Sequence, residues 1–296
     1  MTLQRTSALS RRTFIASLAA AGGALPLVLH AAPRTPAIRG PVRALVVEGE
    51  ALLLAGAALY RSVDGGTTWT DLPAQPPGPV ASLACHPERP GLIVAANATG
   101  GLSRSDDGGA RWRDASSGLP AAHVHAVAIA AHEPDMLYAS VQGDGLWRSR
   151  DGGGAWEFAM DRPFEEAAER DALALASVNN PTDMGGYWIF AGTELGVTKV
   201  PACFCRWYSV GNAGLPPGPV TSLALAPSAP DVLFAGLPSG VWRSDDAGES
   251  WRLATDALPD PCVAVDPDDP DHILAAAESV VLASRDGGLT WAAPAA

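Results

Sequence analysis

The sequence predicts an all-β chain folded as a six-bladed propeller, on three observations. An eight-residue pattern returns five times at a regular interval. The similarity extends through the whole interval, and each interval divides into four short apolar segments set off by turn residues. Glycine (31) and proline (26) are plentiful enough to punctuate many short strands and too plentiful for long helices.

The repeated stretch is SVDGGTTW at Ser62 to Trp69, SDDGGARW at Ser105 to Trp112, SRDGGGAW at Ser149 to Trp156, SDDAGESW at Ser244 to Trp251 and SRDGGLTW at Ser284 to Trp291. Upstream of it, VTSLALAPSAPDVLFAGLPSGVWRSDDAGESW (220–251) matches VHAVAIAAHEPDMLYASVQGDGLWRSRDGGGAW (124–156) with one inserted residue, and it also matches the stretch from Val80. Residues 262–291 match 222–251 without a gap, and a shorter first unit runs from Val42 to Trp69. A sixth unit lies between Trp156 and Val220, where IFAGTELGVTKVPACFCRW (189–207) aligns ungapped with 233–251. In that register Val200, Ala202 and Phe204 stand where Ser244, Asp246 and Gly248 stand, and only Trp207 is kept. Each unit of about 43 residues reads as four strands: an alternating one such as Val220 to Ala226, a second such as Val232 to Ala235, a third ending in Arg-Ser, and a fourth carrying the tryptophan.

The box therefore falls on the hairpin between third and fourth strands, and its residues suit a turn. Asp64, Asp107, Asp151, Asp246 and Asp286 are placed to accept backbone N–H groups, Gly66, Gly109, Gly153, Gly248 and Gly288 to take positive φ, and the tryptophans to pack at the blade edge. A catalytic site is needed once, a structural joint in every unit. The pattern S-x-D-x-G-x-x-W resembles the Asp-box repeat of sialidases, xyloglucan-specific endoglucanases, sortilin-type receptors and photosystem II assembly factors, and it covers nearly the whole chain after the N-terminal segment. The resemblance implies a propeller with boxes on the blade rims, away from the ligand site, and it leaves activity open.

The domain boundaries follow. Residues 1–31 resemble a twin-arginine export signal, with Ser10, Arg11, Arg12 and Phe14 ahead of an alanine-rich run. Residues 32–40 form a linker, and 41–296 form the propeller. Cleavage near Ala31 removes three arginines and no acid, taking the formal charge from −12 to −15. The expectation is a periplasmic or extracellular protein that is not embedded in a membrane. Lys199 is the only lysine, which argues against nucleic acid. Cys85, Cys203, Cys205 and Cys262 follow no metal-ligand spacing, so no metal or cofactor is expected; Cys203 and Cys205 form either a bridge or two free thiols.

Function is expected on the face opposite the boxes, among residues that break the repeat. These are Asn97, Gln142, Asp144, Thr193, Glu194 and Glu278 in the second-to-third loops, with His123 and His125 entering the third blade. The link DRPFEEAAERDA (161–172) is the longest and most charged, with Glu165, Glu166, Glu169 and Arg170 as binding candidates and a short helical turn as its expected form. VNNPTDMGGYW (178–188) extends a turn expected on the box face.

Sialidase chemistry needs three converging arginines and a tyrosine nucleophile. Arg61, Arg104, Arg148 and Arg243 all precede a box serine, so the repeat accounts for them. Arg43, Arg162, Arg170 and Arg206 are irregular, the family's Arg-Ile-Pro motif is missing, and no tyrosine has matching context. A glycoside hydrolase needs two carboxylates flanking a sugar, for which Asp144, Glu194 and Glu278 are the candidates. The favoured expectation is a non-catalytic scaffold that binds a protein partner of the cell envelope. A glycan-binding or glycan-cleaving propeller is the alternative.

Overall fold

Alanine-rich and β-branched runs such as ALLLA, IVAAN and ILAAA are apolar at nearly every position, the pattern of a strand covered on both faces. In the computed structural model, which describes residues 38–182 and 186–295, these runs are the second strands of their sheets and are buried throughout. Among the described residues six antiparallel blade sheets follow one another along the chain, five of four strands and the last of three, with a two-stranded sheet between the third and the fourth. The fifth is typical: Ser222–Ala226, Ala229–Leu237, Gly240–Ser244 and Arg252–Thr255, paired in that order. In the last sheet a single bridge from Ala292 to Ala283 stands in place of the fourth strand.

The innermost strands touch in a cycle. Ala44–Glu48 meets Val80–Cys85, which meets Val124–Ala130, then Ala174–Pro181, Ser222–Ala226 and Cys262–Val265, and the last returns to the first. This is a six-bladed propeller. Its core is divided into six apolar clusters, one in each seam between neighbouring blades. The closing seam joins Leu45, Leu54, Tyr60 and Trp69 of the first blade to Cys262, Ala264, Leu274 and Ala276 of the sixth. Where blades approach most closely a side chain has no room: a Cβ on Gly236 would lie 1.9 Å from the Pro261 carbonyl oxygen.

The boxes sit between third and fourth strands. In all five, the serine Oγ accepts the backbone N–H of the fifth-position glycine and donates to the aspartate Oδ1, which also accepts the backbone N–H of the seventh residue, all at 2.8–2.9 Å. The five glycines take φ between 85° and 95°. These hydrogen bonds favour the ionised carboxyl, and the donors from Arg111 and Thr290 hold Asp107 and Asp286 down to about 2. The tryptophan closes the turn before the fourth strand begins, not within that strand as its sequence position implied; the strand in blade five starts at Arg252. Trp69, Trp156 and Trp251 are buried.

An arginine precedes four of the five box serines, and three of these arginines join one blade to the next. Arg61 donates to the Gly108 carbonyl at 3.0 Å, Arg104 to that of Gly152 at 3.3 Å and Arg243 to that of Gly287 at 2.9 Å, in each case the fourth position of the following box. Arg148 faces the blade whose box is lost, and its guanidinium lies over the Phe204 ring instead, 5.4 Å from the centroid. Residues 1–37 carry the twin-arginine motif and lie outside the described residues, as does the centre of the 178–188 extension. Among the described residues no helix is long and apolar enough to cross a membrane.

Candidate functional site

Opposite the boxes, the second-to-third loops of blades two and three are tied to the entry of their own blade, and that of blade four to the entry of blade five. Ala98 N–H donates to Pro79 O, Gln142 N–H to His123 O and Val220 N–H to Thr193 O, at 2.7–2.8 Å. His123 Nδ1 lies 2.9 Å from Ala98 O, so this imidazole braces two loops. These bonds place the loops at Asn97, Gln142 and Thr193 beside the blade entries.

The 161–172 link is a hairpin and not a helical turn. Phe164–Glu165 pairs with Ala168–Glu169, and Glu166 and Ala167 between them take φ of 48° and 64°. Two left-handed residues make the tight turn whose twist matches antiparallel strands, and this overrides the helix propensity of Glu-Glu-Ala-Ala. Side chains then fasten the hairpin to the face. Thr193 Oγ1 donates to Glu165 Oε2 at 2.8 Å, and Arg170 pairs with Glu194 at 3.5 Å. Arg162 bonds Glu169 at 2.5 Å and approaches Asp171 at 3.6 Å. Asp171 is the hub: its Oδ2 lies 3.2 Å from His125 Nε2, and its Oδ1 accepts Gly143 N–H at 3.0 Å.

Burial shapes the titration of this network. It raises the Glu165 carboxyl, with the Thr193 hydrogen bond and Arg170 opposing. It lowers the His125 imidazole, against the pull of Asp171. Glu165, Glu169, Arg170, His123 and His125 are thus brought onto one patch. Glu166 projects from the exposed tip of the hairpin. Phe164 is 69% exposed beside these charges, and Leu195, next to Glu194, is 39% exposed. The sequence reading treated the link as a charge cluster and passed over Phe164 as its one large apolar residue.

The three carboxylates proposed for catalysis are not gathered. Asp144 accepts the Trp147 indole N–H at 2.8 Å, Glu194 is paired with Arg170, and Glu278 stands on blade six, which borders neither of their blades. Asn97 is buried, with its Nδ2 on Ser103 Oγ at 3.3 Å. Down the axis runs a channel of about 170 Å³, lined by first-strand residues of all six blades, among them Val47, Cys85, Ile129 and Val265. Arg43 and His125 stand at its mouth on the hairpin face. No trio of His, Cys, Asp or Glu suited to a metal ion occurs among the described residues.

On the box face of blade four Cys203 and Cys205 are bridged, whereas Cys85 and Cys262 are free thiols.

No family model matches the chain, and no curated protein does. Solved structures do. A GH74 enzyme from Niastella koreensis matches with a TM-score of 0.57 and 13% identity over 84% of this chain, but over only 46% of its own length. YCF48 from Cyanidioschyzon merolae matches at 0.54 and 13% identity, over 87% of this chain and 86% of its own. YCF48 bound to D1 peptide matches at 0.52 and 16%, over 88% and 82%. At these identities the likeness is one of fold.

Proposed function

We propose that this protein is an exported, non-catalytic propeller that binds a protein partner through the face carrying the 164–169 hairpin. The observation that carries the reading is the hairpin itself. It lies outside the six blade sheets, yet four residues of the face, Thr193, Glu194, His125 and Gly143, hold it or its base at Arg170 and Asp171. An aromatic left exposed beside ordered, partly buried charges is the composition of an interface centre. Two comparisons support the reading. YCF48, a propeller of comparable length, is known with a bound peptide, while the GH74 match spans less than half of that enzyme. The carboxylates needed for glycoside cleavage stand apart.

The test uses the exported protein in its own cell. A photo-crosslinking residue in place of Phe164 should capture one partner, and the partner, once purified, should bind wild type. Phe164→Ala with Leu195→Ala should weaken that binding at least tenfold with an unchanged melting transition. Turnover of a glycan panel, lost on Asp144→Asn, Glu194→Gln or Glu278→Gln, overturns the reading in favour of a hydrolase. Export follows the twin-arginine route in this proposal; mature protein outside the inner membrane after Arg11 and Arg12 are both changed to Lys refutes that part.

A further inference from the structure

Blade four has lost the hydrogen-bonded box and carries a disulfide in the same turn. In the ungapped register Cys203 holds the fourth box position and Cys205 the sixth, and Phe204 between them holds the fifth. Phe204 takes φ of 53°, the left-handed conformation that glycine takes at this position in the other five blades. A bulky side chain is rarely found there because its Cβ crowds the backbone. The Phe204 ring is turned inward against Tyr138 and under Arg148, and both cysteines are exposed to solvent.

We infer that Cys203 and Cys205 form a thiol–disulfide exchange site that accepts two electrons from a dithiol client. Three features point the same way. The sulfurs are open to an incoming thiolate, and exposed bridges are the exchangeable ones. Opening the eleven-atom ring frees Phe204 to leave its left-handed conformation, which favours the reduced state. Arg206, directly after Cys205 and stacked on Tyr208, adds positive charge to this turn and so favours a leaving thiolate. By contrast, burial raises the thiols of Cys85 and Cys262, the latter up to about 12, and keeps both from competing.

The chemistry balances within the pair. A client thiolate attacks one sulfur, breaking the Cys203–Cys205 bond and forming a mixed disulfide, and the displaced cysteine thiolate takes up a proton. The client's second thiolate attacks its own sulfur in the mixed disulfide and expels the other cysteine, which is protonated in turn. The client is oxidised to a disulfide and the protein is left with two thiols. The site lies on the box face, opposite the hairpin, so it stands independently of the proposed partner-binding surface.

The probe is a reduced peptide carrying two cysteines, mixed with the oxidised mature protein and followed by mass spectrometry. The expected result is a gain of two hydrogens by the protein and an equal loss by the peptide, faster than with oxidised glutathione at the same concentration. Cys205→Ser should trap the monothiol form of the peptide, supplied as its mixed disulfide with glutathione, on Cys203. Phe204→Gly removes the left-handed penalty and should make the bridge about tenfold harder to reduce in a glutathione buffer, with the fold checked by its melting curve. Wild-type bridge that stays oxidised in a hundredfold excess of the peptide, or exchange no faster than glutathione's, overturns the inference and leaves the bridge as a static replacement for the lost box.

Discussion

Replacing Arg104 by Met tests whether an arginine that precedes a box serine is an inter-blade fastening. The side chain is 3% exposed, and its Nη1 donates across the seam to Gly152 O while Nη2 meets Asp106 at 2.6 Å and Asp135 at 3.0 Å. Methionine retains much of the aliphatic stem, so the packing loss is small. Asp106 and Asp135 are 42% and 53% exposed and rehydrate when the guanidinium leaves, so no charge is stranded in a dry site. What disappears is a buried, charge-assisted hydrogen bond, which contributes about 1.5–3 kcal/mol. Two solvent-screened pairs go with it, worth a few tenths of a kcal/mol each, roughly. Against these stands the relief of the guanidinium's own desolvation, and the expected net loss is about 2 kcal/mol. Urea unfolding followed by tryptophan fluorescence should show a lower midpoint at unchanged m. Arg148→Met is the control, because its target box is gone and its ring contact and exposed Glu157 partner are together worth about 1 kcal/mol. Equal losses for the two variants, or a loss under about 0.5 kcal/mol for Arg104→Met, would refute the reasoning.

Two further expectations concern the boxes. Asp246→Ala removes bonds from Ser244 and Ser250 at an accessible turn and should cost about 1 kcal/mol, while Trp251→Ala empties a buried site and should cost about 3–5 kcal/mol; denaturation midpoints that reverse this order would count against the assignment of roles. Asp286 is held down to about 2 when folded, against about 3.9 unfolded. The unfolded chain therefore binds more protons between about pH 4 and pH 2, and stability falls as pH falls through that window. Asp286→Asn should flatten the acid limb of a midpoint-versus-pH curve, and an unchanged slope would show that the turn bonds do not select the ionised form.

The ring was legible because its signals are local and repeated. Six second strands announce themselves as apolar runs, and five boxes fix the third-to-fourth hairpins, so errors of a residue or two in strand ends do not change the count. The hairpin at 164–169 was legible as an exception and not as a shape. Its form depends on Thr193 and Glu194 receiving Glu165 and Arg170 from some 25 residues away, and no local propensity encodes that. The expected helical turn failed for this reason. The arginine fastenings were visible as a repeated position, yet their target is a carbonyl in the following blade, and a backbone acceptor leaves no mark in the sequence.

Blade four departs from the repeat on both of its faces, and the two departures are physically connected. Where the box is lost, the carbonyl that Arg148 would meet in the regular pattern is lost with it. That turn carries the Cys203–Cys205 bridge, with Phe204 packed against Tyr138 and under Arg148 where the other blades have a glycine. Trp207 keeps its place and donates to Asp161 O at 2.8 Å, the first residue of the inserted link. The link thus begins at the tryptophan that survives the lost box, and ends at Asp171 beside His125 on the opposite face.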